Sequence, residues 1–324
     1  MEIISSIWHT AAYILGAIFL ITGILSLILY GIEKGRLRRA RVREDARLKT
    51  RTGSGTGKAS EEPSVRRRIA LITGASSGLG AGFTKAVDAH PENYDVTEIW
   101  LLARRADRLN ALAGQIHLPA RVLSIDMTDE QALQNLNKQL KTESDHGNFS
   151  ISLLMNCAGF GKSGNSEDVG ENSEAGMVRL NDEAAVKITQ ICLPYMKAGA
   201  RIGEICSVAG FQPIPGLNAY SASKAFLYSY SRALRIELLR RGISVTAICP
   251  YWVSDTEFIS VATGAPKHPF MSKTTISVVN WSLRDVRRRH AVSTPGLVTS
   301  LDRFFRGLIA DSLLARICGL FSLK

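Results

Sequence analysis

Cysteine is scarce in this chain, and no two cysteines have the spacing of a metal-binding motif. The five residues are Cys157, Cys192, Cys206, Cys249 and Cys318, and none of them forms a CxxC pair. No metal site is therefore expected. Because the number is odd and several cysteines stand in apolar runs, we expect buried free thiols in a reducing compartment.

Charge is absent from residues 11–32, whose sequence is AAYILGAIFLITGILSLILYGI. As a helix rising about 1.5 Å per residue, this run is long enough to span a hydrocarbon core of about 30 Å. Residues 1–10 also lack Lys and Arg, whereas many follow Ile32, which is the reverse of a cleaved signal peptide. By the positive-inside rule, residues 1–32 are predicted to be a single-pass membrane anchor that leaves the rest of the chain cytoplasmic. The membrane would be the inner membrane in a bacterium or the endoplasmic reticulum in a eukaryote.

Positive charge is concentrated in one short segment after the anchor. Between Glu33 and Ile69, thirteen Lys and Arg stand against five Asp and Glu, which is +8 of the formal +11 and leaves +3 for the remainder. Anionic headgroups would attract this segment, and the near-neutral remainder argues against nucleic-acid binding. Thr52–Ser64 is rich in Gly, Ser and Thr. We therefore predict that residues 33–64 are a basic juxtamembrane segment and flexible linker.

Short apolar runs alternate with helical stretches after the linker. RIALITG, EIWLLARR, RVLSID, ISLLMNCAG, RIGEICSVAG and ISVTAICP are the predicted strands. Their alternation with helices predicts an α/β fold with a Rossmann-like, doubly wound parallel sheet in a single domain, residues 65–296. Residues 297–324 carry an amphipathic helical stripe, which would dock on the domain, pair with a second subunit in a homo-oligomer, or lie in the membrane interface.

A glycine-rich turn, Thr73–Gly80, follows the first predicted strand and opens a helix. Its glycines are spaced GxxxGxG, and such a turn is often only a turn. Its place at the first βα junction favours a dinucleotide site, where a pyrophosphate approaches backbone N–H groups. The second strand ends in Ala103, Arg104 and Arg105, without the Asp or Glu that binds a free ribose 2′-hydroxyl. Arg104 is either a solvated arginine or a partner for a 2′-phosphate, and we favour NADP(H) over NAD(H).

A tyrosine and a lysine stand four positions apart in a predicted helix, as Tyr220 and Lys224 in NAYSASKAFLYS. This spacing is also that of two polar residues on an ordinary amphipathic helix. A phenol, with a pKa near about 10, needs a stabilised anion to act as an acid or base near neutral pH. A lysine on the same helix face would supply that stabilisation.

Three motifs together resemble the classical short-chain dehydrogenase/reductase family. They are TGASSGLG, the NCAG run Asn156–Gly159, and Tyr220-x-x-x-Lys224 with Ser207 upstream. The resemblance runs from about Arg68 to at least Pro250. Anchor, linker and core together are similar to membrane-anchored hydroxysteroid dehydrogenases and to 3-ketoacyl or 3-ketosphinganine reductases.

The resemblance implies an NADP(H)-dependent oxidoreductase (EC 1.1.1.-) at the membrane. It would interconvert a ketone and a secondary alcohol on a lipophilic substrate, such as a steroid, a retinoid or a long-chain lipid. A catalytically silent NADPH-binding sensor or scaffold is the alternative. In the family's pattern, Tyr220 is the acid/base, Lys224 tunes it and Ser207 holds the substrate oxygen. Asn181, in the long helix after NCAG, would support a proton-relay water.

The resemblance also implies contacts to the cofactor. The predicted contacts are Gly74, Ser76, Ser77, Gly78, Leu79, Gly80, Arg104, Asp126, Met127, Asn156, Ala158, Gly159, Tyr220, Lys224, Pro250 and Val253. Two positions depart from the family pattern, since Cys157 replaces an asparagine and Tyr251 fills a glycine position. Because Tyr251 fills that position, the register of the following loop stays open, and Thr256 is a further contact implied by the resemblance. The loop at residues 251–275 carries aromatic and aliphatic residues, which would either face an apolar substrate or pack beneath the loop.

Overall fold

The protein was analysed as a computed structural model. It describes residues 21, 24, 28–29, 31–39, 42, 67–147, 149–258, 271–305, 313, 315–316 and 318. Most of the predicted anchor, the linker from residue 43 and residues 259–270 of the predicted substrate loop lie outside that set. Among the residues it describes, no helix is both long enough and apolar enough to cross a membrane.

Seven parallel strands form one sheet in the order β3-β2-β1-β4-β5-β6-β7. The strands are β1 (Arg67–Thr73), β2 (Glu98–Ala103), β3 (Ala120–Ser124), β4 (Phe149–Asn156), β5 (Met196–Ile205), β6 (Ser244–Ile248) and β7 (Val292–Ser293). The order reverses direction at β1, which is the topology of a doubly wound sheet. The predicted parallel Rossmann-like fold is thereby confirmed, and the short β7 is an addition that the sequence pattern did not indicate.

Helices cover both faces of the sheet. Residues 31–39 are helical (α1). The others are α2 (Gly78–Ala89), α3 (Ala106–Ala113), α4 (Glu130–Asp145), α5 (Ser166–Val169), α6 (Glu171–Val178), α7 (Ala184–Cys192), α8 (Asn218–Leu238), α9 (Thr275–Arg287) and α10 (Leu297–Phe305).

Two buried clusters form the core, one on each face of the sheet. Side chains of a strand point alternately to opposite faces. Ile69 and Leu71 therefore pack with α4, α7 and α8, whereas Ala70 and Ile72 pack with α2, α3 and α9. Burial on both faces explains why the strands read as continuous apolar runs in the sequence.

The long helix predicted after the NCAG run is helical without a break over residues 171–192, with a π-helical turn inside it. It consists of α6, a π-helical turn at Arg179–Glu183 and α7, and it ends before a single 3₁₀ turn at Leu193–Tyr195. Pro194 stops the helix because it has no N–H to donate to the preceding turn. Strand β5 consequently begins at Met196, earlier than the sequence pattern indicated.

Helix α1 contacts the domain, although it belongs to the predicted juxtamembrane segment. Leu37 is buried, and Glu33 forms an ion pair with Arg235 of α8. At the other end of the chain, α10 packs against the short turn Val208–Gly210. Within the C-terminal amphipathic stripe, α10 therefore docks on the domain, which is one of the three alternatives given above. Leu297 of this helix remains largely exposed.

Candidate active site

One large cavity lies at the carboxyl ends of the central strands. Its volume is about 1320 Å³. In doubly wound sheets, ligands bind at this edge, where the strand order reverses. The cavity wall includes the following predicted site residues: Gly74, Ser76, Ser77, Gly78, Leu79, Gly80, Arg104, Asp126, Met127, Ala158, Gly159, Ser207, Tyr220, Lys224, Pro250 and Val253.

The glycine turn has a shape that only glycine permits at two of its positions. Gly74 has a φ of +64°, and a Cβ there would lie 2.9 Å from the backbone of Ala158. A Cβ on Gly80 would lie 2.2 Å from the carbonyl oxygen of Gly74. The turn therefore folds tightly on itself and on the end of β4. Helix α2 begins here, and its N-cap residue Ser77 makes no side-chain hydrogen bond to the first turn.

Arg105, rather than Arg104, contacts the glycine turn. Arg105 donates from Nη2 to the hydroxyls of Ser76 at 3.2 Å and Ser77 at 2.7 Å. The side chain of Arg104 is 72% exposed, and its Nη1 lies 4.0 Å from the carboxylate of Asp126. Both arginines line the cavity, so two cations stand at the tip of β2. The position of Arg105 next to Arg104 was the signal in the sequence that could have identified it as a site residue.

Asp126 closes the neighbouring side of the cavity, after β3. Its Oδ1 accepts hydrogen bonds from the backbone N–H of Thr128 at 2.9 Å and from the hydroxyl of Thr128 at 2.7 Å. The backbone hydrogen bond is the main reason that the pKa of this carboxyl is lowered. Met127 beside it is buried and lines the cavity, as expected for a residue beside a planar base.

Asn156 lies behind the cavity wall, which differs from its predicted place beside the cofactor. Its side chain is buried and donates to Thr189 at 2.8 Å and to Glu204 at 2.9 Å. It is not among the described residues that line the cavity. The following residue, Cys157, does line it, and burial raises the pKa of this thiol far above its usual range. A thiol whose pKa is raised in this way is unreactive near neutral pH.

Ser207, Tyr220 and Lys224 meet at the centre of the cavity. Ser207 follows β5, and its Oγ accepts a hydrogen bond from the backbone N–H of Ala209 at 3.1 Å. The hydroxyl of Ser207 lies close enough to the phenol of Tyr220 to lower its pKa, and both side chains line the cavity. Lys224 is buried one turn along α8, where its Nζ donates to the carbonyl of Ile205 at 2.8 Å. The i, i+4 spacing therefore places both side chains at the end of β5.

Burial dominates the protonation of this trio. It raises the pKa of Tyr220 to about 12, and the nearby hydroxyl of Ser207 acts in the opposite direction. Burial also lowers the pKa of Lys224, because a charged ammonium is poorly solvated there. At neutral pH the phenol therefore holds its proton.

Asn181 lies in the π-helical turn and holds the wall of the cavity. It is fully buried, and its Oδ1 accepts from the N–H of Phe160 at 3.0 Å. Its Nδ2 donates to the carbonyl of Phe160 and to the hydroxyl of Ser223, both at 3.0 Å. A Cβ on Gly159 would lie 2.9 Å from Oδ1 of Asn181 and 3.5 Å from Nζ of Lys224. Asn181 and Lys224 thus flank one stretch of backbone, as π-helical turns at functional sites often permit.

Two buried carboxyl groups near Lys224 were not predicted from the sequence. Burial raises the pKa of Glu204 to about 7 and the pKa of Asp182 to about 7, while the charge of Lys224 opposes both shifts. Their side chains each have one oxygen with no hydrogen-bond partner among the described residues. A glutamate inside the apolar run of β5 was the available signal for Glu204.

Aromatic side chains cover the far end of the cavity. Phe258 lies with its ring centroid 5.3 Å from that of Tyr220 and 6.2 Å from that of Trp252. Tyr251 also lines this end, and Thr256 reaches the glycine turn, where a Cβ on Gly78 would be 3.4 Å from its methyl group. The predicted substrate loop therefore reaches both the tyrosine and the glycine turn.

The residues present fit a dinucleotide. The tight glycine turn, the uncapped start of α2 and the two arginines at β2 supply backbone donors and positive charge for phosphates. Pro250 and Val253 line the cavity beside Ser207 and Tyr220. A doubly wound sheet with this cradle and a serine–tyrosine–lysine trio defines a class of dinucleotide-dependent oxidoreductases.

Comparison with known proteins identifies the family. Residues 68–263 match the family model described as short chain dehydrogenase, and the chain belongs to that family. Sulfoacetaldehyde reductase 2 of Chromohalobacter salexigens is 34% identical over 60% of this chain and 76% of its own length. 17-beta-hydroxysteroid dehydrogenase type 3 of Rattus norvegicus is 29% identical over 57% of this chain and 60% of its own length.

Solved structures include similar folds. A short-chain dehydrogenase from Sphingobium yanoikuyae in complex with NADPH superposes with a TM-score of 0.62 at 28% sequence identity. The match covers 75% of this chain and 94% of that one. The family resemblance drawn from the three sequence motifs is thus confirmed.

Proposed function

We propose that this protein is a membrane-anchored, NADP(H)-dependent oxidoreductase that interconverts a ketone and a secondary alcohol on a lipophilic substrate. The observation that carries the proposal is the meeting of Ser207, Tyr220 and Lys224 at one cavity beside the glycine turn. The bound cofactor would supply or accept the hydride at the carbonyl carbon. The side chains of Ser207, Tyr220 and Lys224 would bind the substrate oxygen and donate or accept its proton.

Ser207 holds the substrate oxygen, and Tyr220 transfers the proton. In reduction, the phenolic proton of Tyr220 passes to the oxygen, which becomes the alcohol. In oxidation, the alcohol returns its proton to the phenolate. The high pKa of Tyr220 supports the protonated resting form that ketone reduction requires. Lys224 would stabilise the phenolate by its charge, since its Nζ lies 5.7 Å from the ring centroid of Tyr220.

The preference for NADP(H) rests on charge at the tip of β2. Arg104 and Arg105 line the cavity there, and Arg108 follows in the first turn of α3. A 2′-phosphate is an anion that arginine binds with two hydrogen bonds, whereas a 2′-hydroxyl requires an acceptor. The NADPH complex of the similar Sphingobium yanoikuyae enzyme supports this preference.

The lipophilic substrate is supported by the apolar end of the cavity. Trp252, Phe258 and Tyr251 line this end, and apolar side chains are typical of sites for apolar ligands. The similarity to a 17-beta-hydroxysteroid dehydrogenase supports a steroid or another bulky ketone. An anchor at residues 1–32 would hold the enzyme where such substrates dissolve, with its domain on the cytoplasmic side.

NADPH oxidation by the full-length chain in detergent micelles tests the proposal. Steroids, retinal and 3-ketoacyl esters serve as candidate ketones. Tyr220→Phe should lower turnover by at least about 100-fold while it retains NADPH binding. Tyr228→Phe, on the same helix with its ring packed against Phe211, serves as the matched control and should stay active. Full activity of Tyr220→Phe, or NADPH binding without turnover of any ketone in the wild type, would contradict the proposal.

A further inference from the structure

Glu257 is bound by two arginines at the tip of β2. Arg105 donates from Nη1 to one carboxylate oxygen at 2.9 Å, and Arg108 pairs with the other oxygen. The arginines begin α3, whereas Glu257 comes from the segment after β6. The contact therefore links two distant parts of the chain across the mouth of the cavity. Arg105 and Glu257 line the cavity, and Arg108 lies just outside its lining.

The same arginine connects this ion pair with the glycine turn. Arg105 also donates to the hydroxyls of Ser76 and Ser77. One residue before Glu257, the methyl group of Thr256 lies close to Gly78. Residues 256 and 257 thus follow the path from the start of α2 to the tip of β2, which is the path a dinucleotide takes between its pyrophosphate and its adenine ribose.

A carboxylate and a phosphate compete for the same donors. Both are anions that accept parallel hydrogen bonds from a guanidinium group. The hydrogen bonds from Arg108 and Arg105 lower the pKa of Glu257, so its carboxyl is charged at neutral pH. With two negative groups near one arginine pair, the carboxylate and a 2′-phosphate would repel each other, so one must leave when the other binds.

Phe258, the residue after Glu257, connects this ion pair with Tyr220. Phe258 packs its ring against Tyr220, and a Cβ on Gly161 would lie 2.7 Å from Phe258 and 2.9 Å from Tyr220. The Phe258 ring therefore fills space beside the phenol that a substrate needs. Because Glu257 and Phe258 are adjacent, a shift of the backbone that displaces the carboxylate would also move the ring.

We propose that Glu257 is a specificity-determining residue, whose carboxylate occupies the arginine pair that a ribose 2′-phosphate takes. NADP(H) binds by displacing Glu257, whereas NAD(H), which has no 2′-phosphate, leaves it in place. The displacement shifts Phe258 away from Tyr220, so cofactor choice and access to the tyrosine are coupled. By linkage, a substrate beside Tyr220 then favours NADP(H) binding. The inference rests on the proposed NADP(H) dependence.

Equilibrium binding to the full-length chain in detergent micelles tests this inference without turnover. The probes are NADPH, NADH, 2′,5′-ADP and 5′-AMP, titrated by calorimetry. Glu257→Gln should tighten NADPH and 2′,5′-ADP by about three- to tenfold, because an exposed ion pair is worth about 1 kcal/mol or less. NADH and 5′-AMP should bind with unchanged Kd.

Asp107→Asn is the matched control. Asp107 is an exposed carboxylate next to Arg108 in the sequence, and its negative charge contributes to the raised pKa of Arg108. Its removal should change the four Kd values by less than about twofold. If Glu257→Gln tightens NADPH and NADH alike, or does not tighten NADPH, the competition is wrong.

A second variant distinguishes this failure from failure of the proposed function. Arg105→Ala should weaken NADPH by at least about tenfold, since it removes a phosphate partner. If it does so while Glu257→Gln has no effect, only the role of Glu257 is overturned. If Arg105→Ala weakens NADPH and NADH equally, the NADP(H) preference is overturned together with the competition that rests on it.

Discussion

Asn156, the last residue of β4, donates a hydrogen bond of 2.9 Å to the carboxyl of Glu204, its register partner on β5. Thr189 of α7 donates to the same oxygen at 3.1 Å. Glu204 is fully buried, and burial raises its pKa to about 7. A carboxyl that titrates near neutral pH is therefore carried by the residue before Ile205, whose carbonyl accepts the hydrogen bond from Lys224.

This carboxyl makes stability depend on pH in a definite direction. Between the ordinary value of 4.5 and the folded value of about 7, the folded state binds more protons than the unfolded state. The free energy of unfolding should therefore fall as pH rises through that window, by up to about 3 kcal/mol. Glu204→Gln keeps the oxygen that Asn156 and Thr189 bind and does not ionise, so its pH dependence should be shallower.

Urea unfolding at about pH 5 and about pH 8 measures this difference. Asp182, whose pKa burial also raises to about 7, contributes in the same direction and accounts for the dependence that remains in Glu204→Gln. The double variant Glu204→Gln/Asp182→Asn should lose most of this fall in stability, and His290, whose pKa burial lowers, acts in the opposite direction. Equal slopes for the wild type and Glu204→Gln would show that Glu204 is ionised in the folded state.

The parts of the site that the sequence predicts are those set by local spacing. Gly74 and Gly80 share one turn, and Tyr220 and Lys224 share one helix face, so spacing alone brings each pair together. The alternation of apolar runs likewise predicted the parallel sheet. Arg105 and Glu257 are 152 positions apart, and their contact depends on how the segment after β6 crosses the cavity.

The pairing register of the strands determines contacts that local sequence patterns do not predict. Asn156 and Glu204 meet because β4 and β5 pair in one particular register, and a shift by one residue would point them to opposite faces. The π-helical turn that positions Asn181 is an extra residue in a helix, and the apolar period of the sequence does not reveal it. Such features become visible only when the packed elements are compared.

Gly80→Ala should disrupt cofactor binding. The new Cβ would lie 2.2 Å from the carbonyl oxygen of Gly74, a backbone atom that has no free rotation to move away. The glycine turn would open, and we expect NADPH affinity to fall by at least about tenfold. Calorimetric titration with NADPH measures this loss.

Gly114→Ala provides the control for a new methyl group after a helix. Gly114 follows α3 with a right-handed φ of −72°, and its Cβ would lie 3.7 Å from the carbonyl of Asn110, an ordinary contact. Its NADPH affinity should equal that of the wild type. Unchanged affinity in Gly80→Ala would mean that the turn does not approach the cofactor.

Asn181→Ala should reduce both stability and turnover. The substitution leaves the N–H and carbonyl of the half-buried Phe160 without their partners at 3.0 Å. Each unsatisfied group costs about 1–3 kcal/mol, so the free energy of unfolding should fall by about 2–4 kcal/mol. Because Gly159 lies between Asn181 and Lys224, the loosened backbone should also lower turnover.

Ser223→Ala separates these effects. It removes the 3.0 Å hydrogen bond from Asn181 to Ser223 and the 2.8 Å hydrogen bond that the Ser223 hydroxyl donates to the carbonyl of Tyr220, and it leaves both contacts to Phe160. Its stability should fall by about 1 kcal/mol and its turnover should be little changed. Urea unfolding and NADPH oxidation, measured on both variants, distinguish the two cases. Equal losses would indicate that the Phe160 contacts are not what Asn181 contributes.

Glu33→Gln should release α1 from the domain. Arg235 is 1% exposed, and it also donates to the carbonyls of Val245 and Arg289, each at 2.6 Å. Its guanidinium therefore stays in place when Glu33 is neutralised, and a buried cation without its anion destabilises the contact. Glu237→Gln, an exposed carboxylate on the same helix, is the control.

Limited trypsin digestion reports this release, because α1 carries Lys34, Arg36, Arg38 and Arg39. Cleavage at these residues should be at least about fivefold faster in Glu33→Gln than in the wild type or in Glu237→Gln, while the domain stays intact. The reason is that a loss of about 1 kcal/mol in local stability raises the fraction of molecules with α1 detached about fivefold. Equal cleavage rates would indicate that the burial of Leu37, and not the ion pair of Glu33, holds α1 on the domain. If α1 continues an anchor at residues 1–32, this ion pair would fix how the cavity faces the membrane, and Glu33→Gln would then also slow reduction of a bilayer-dissolved ketone but not of a water-soluble one.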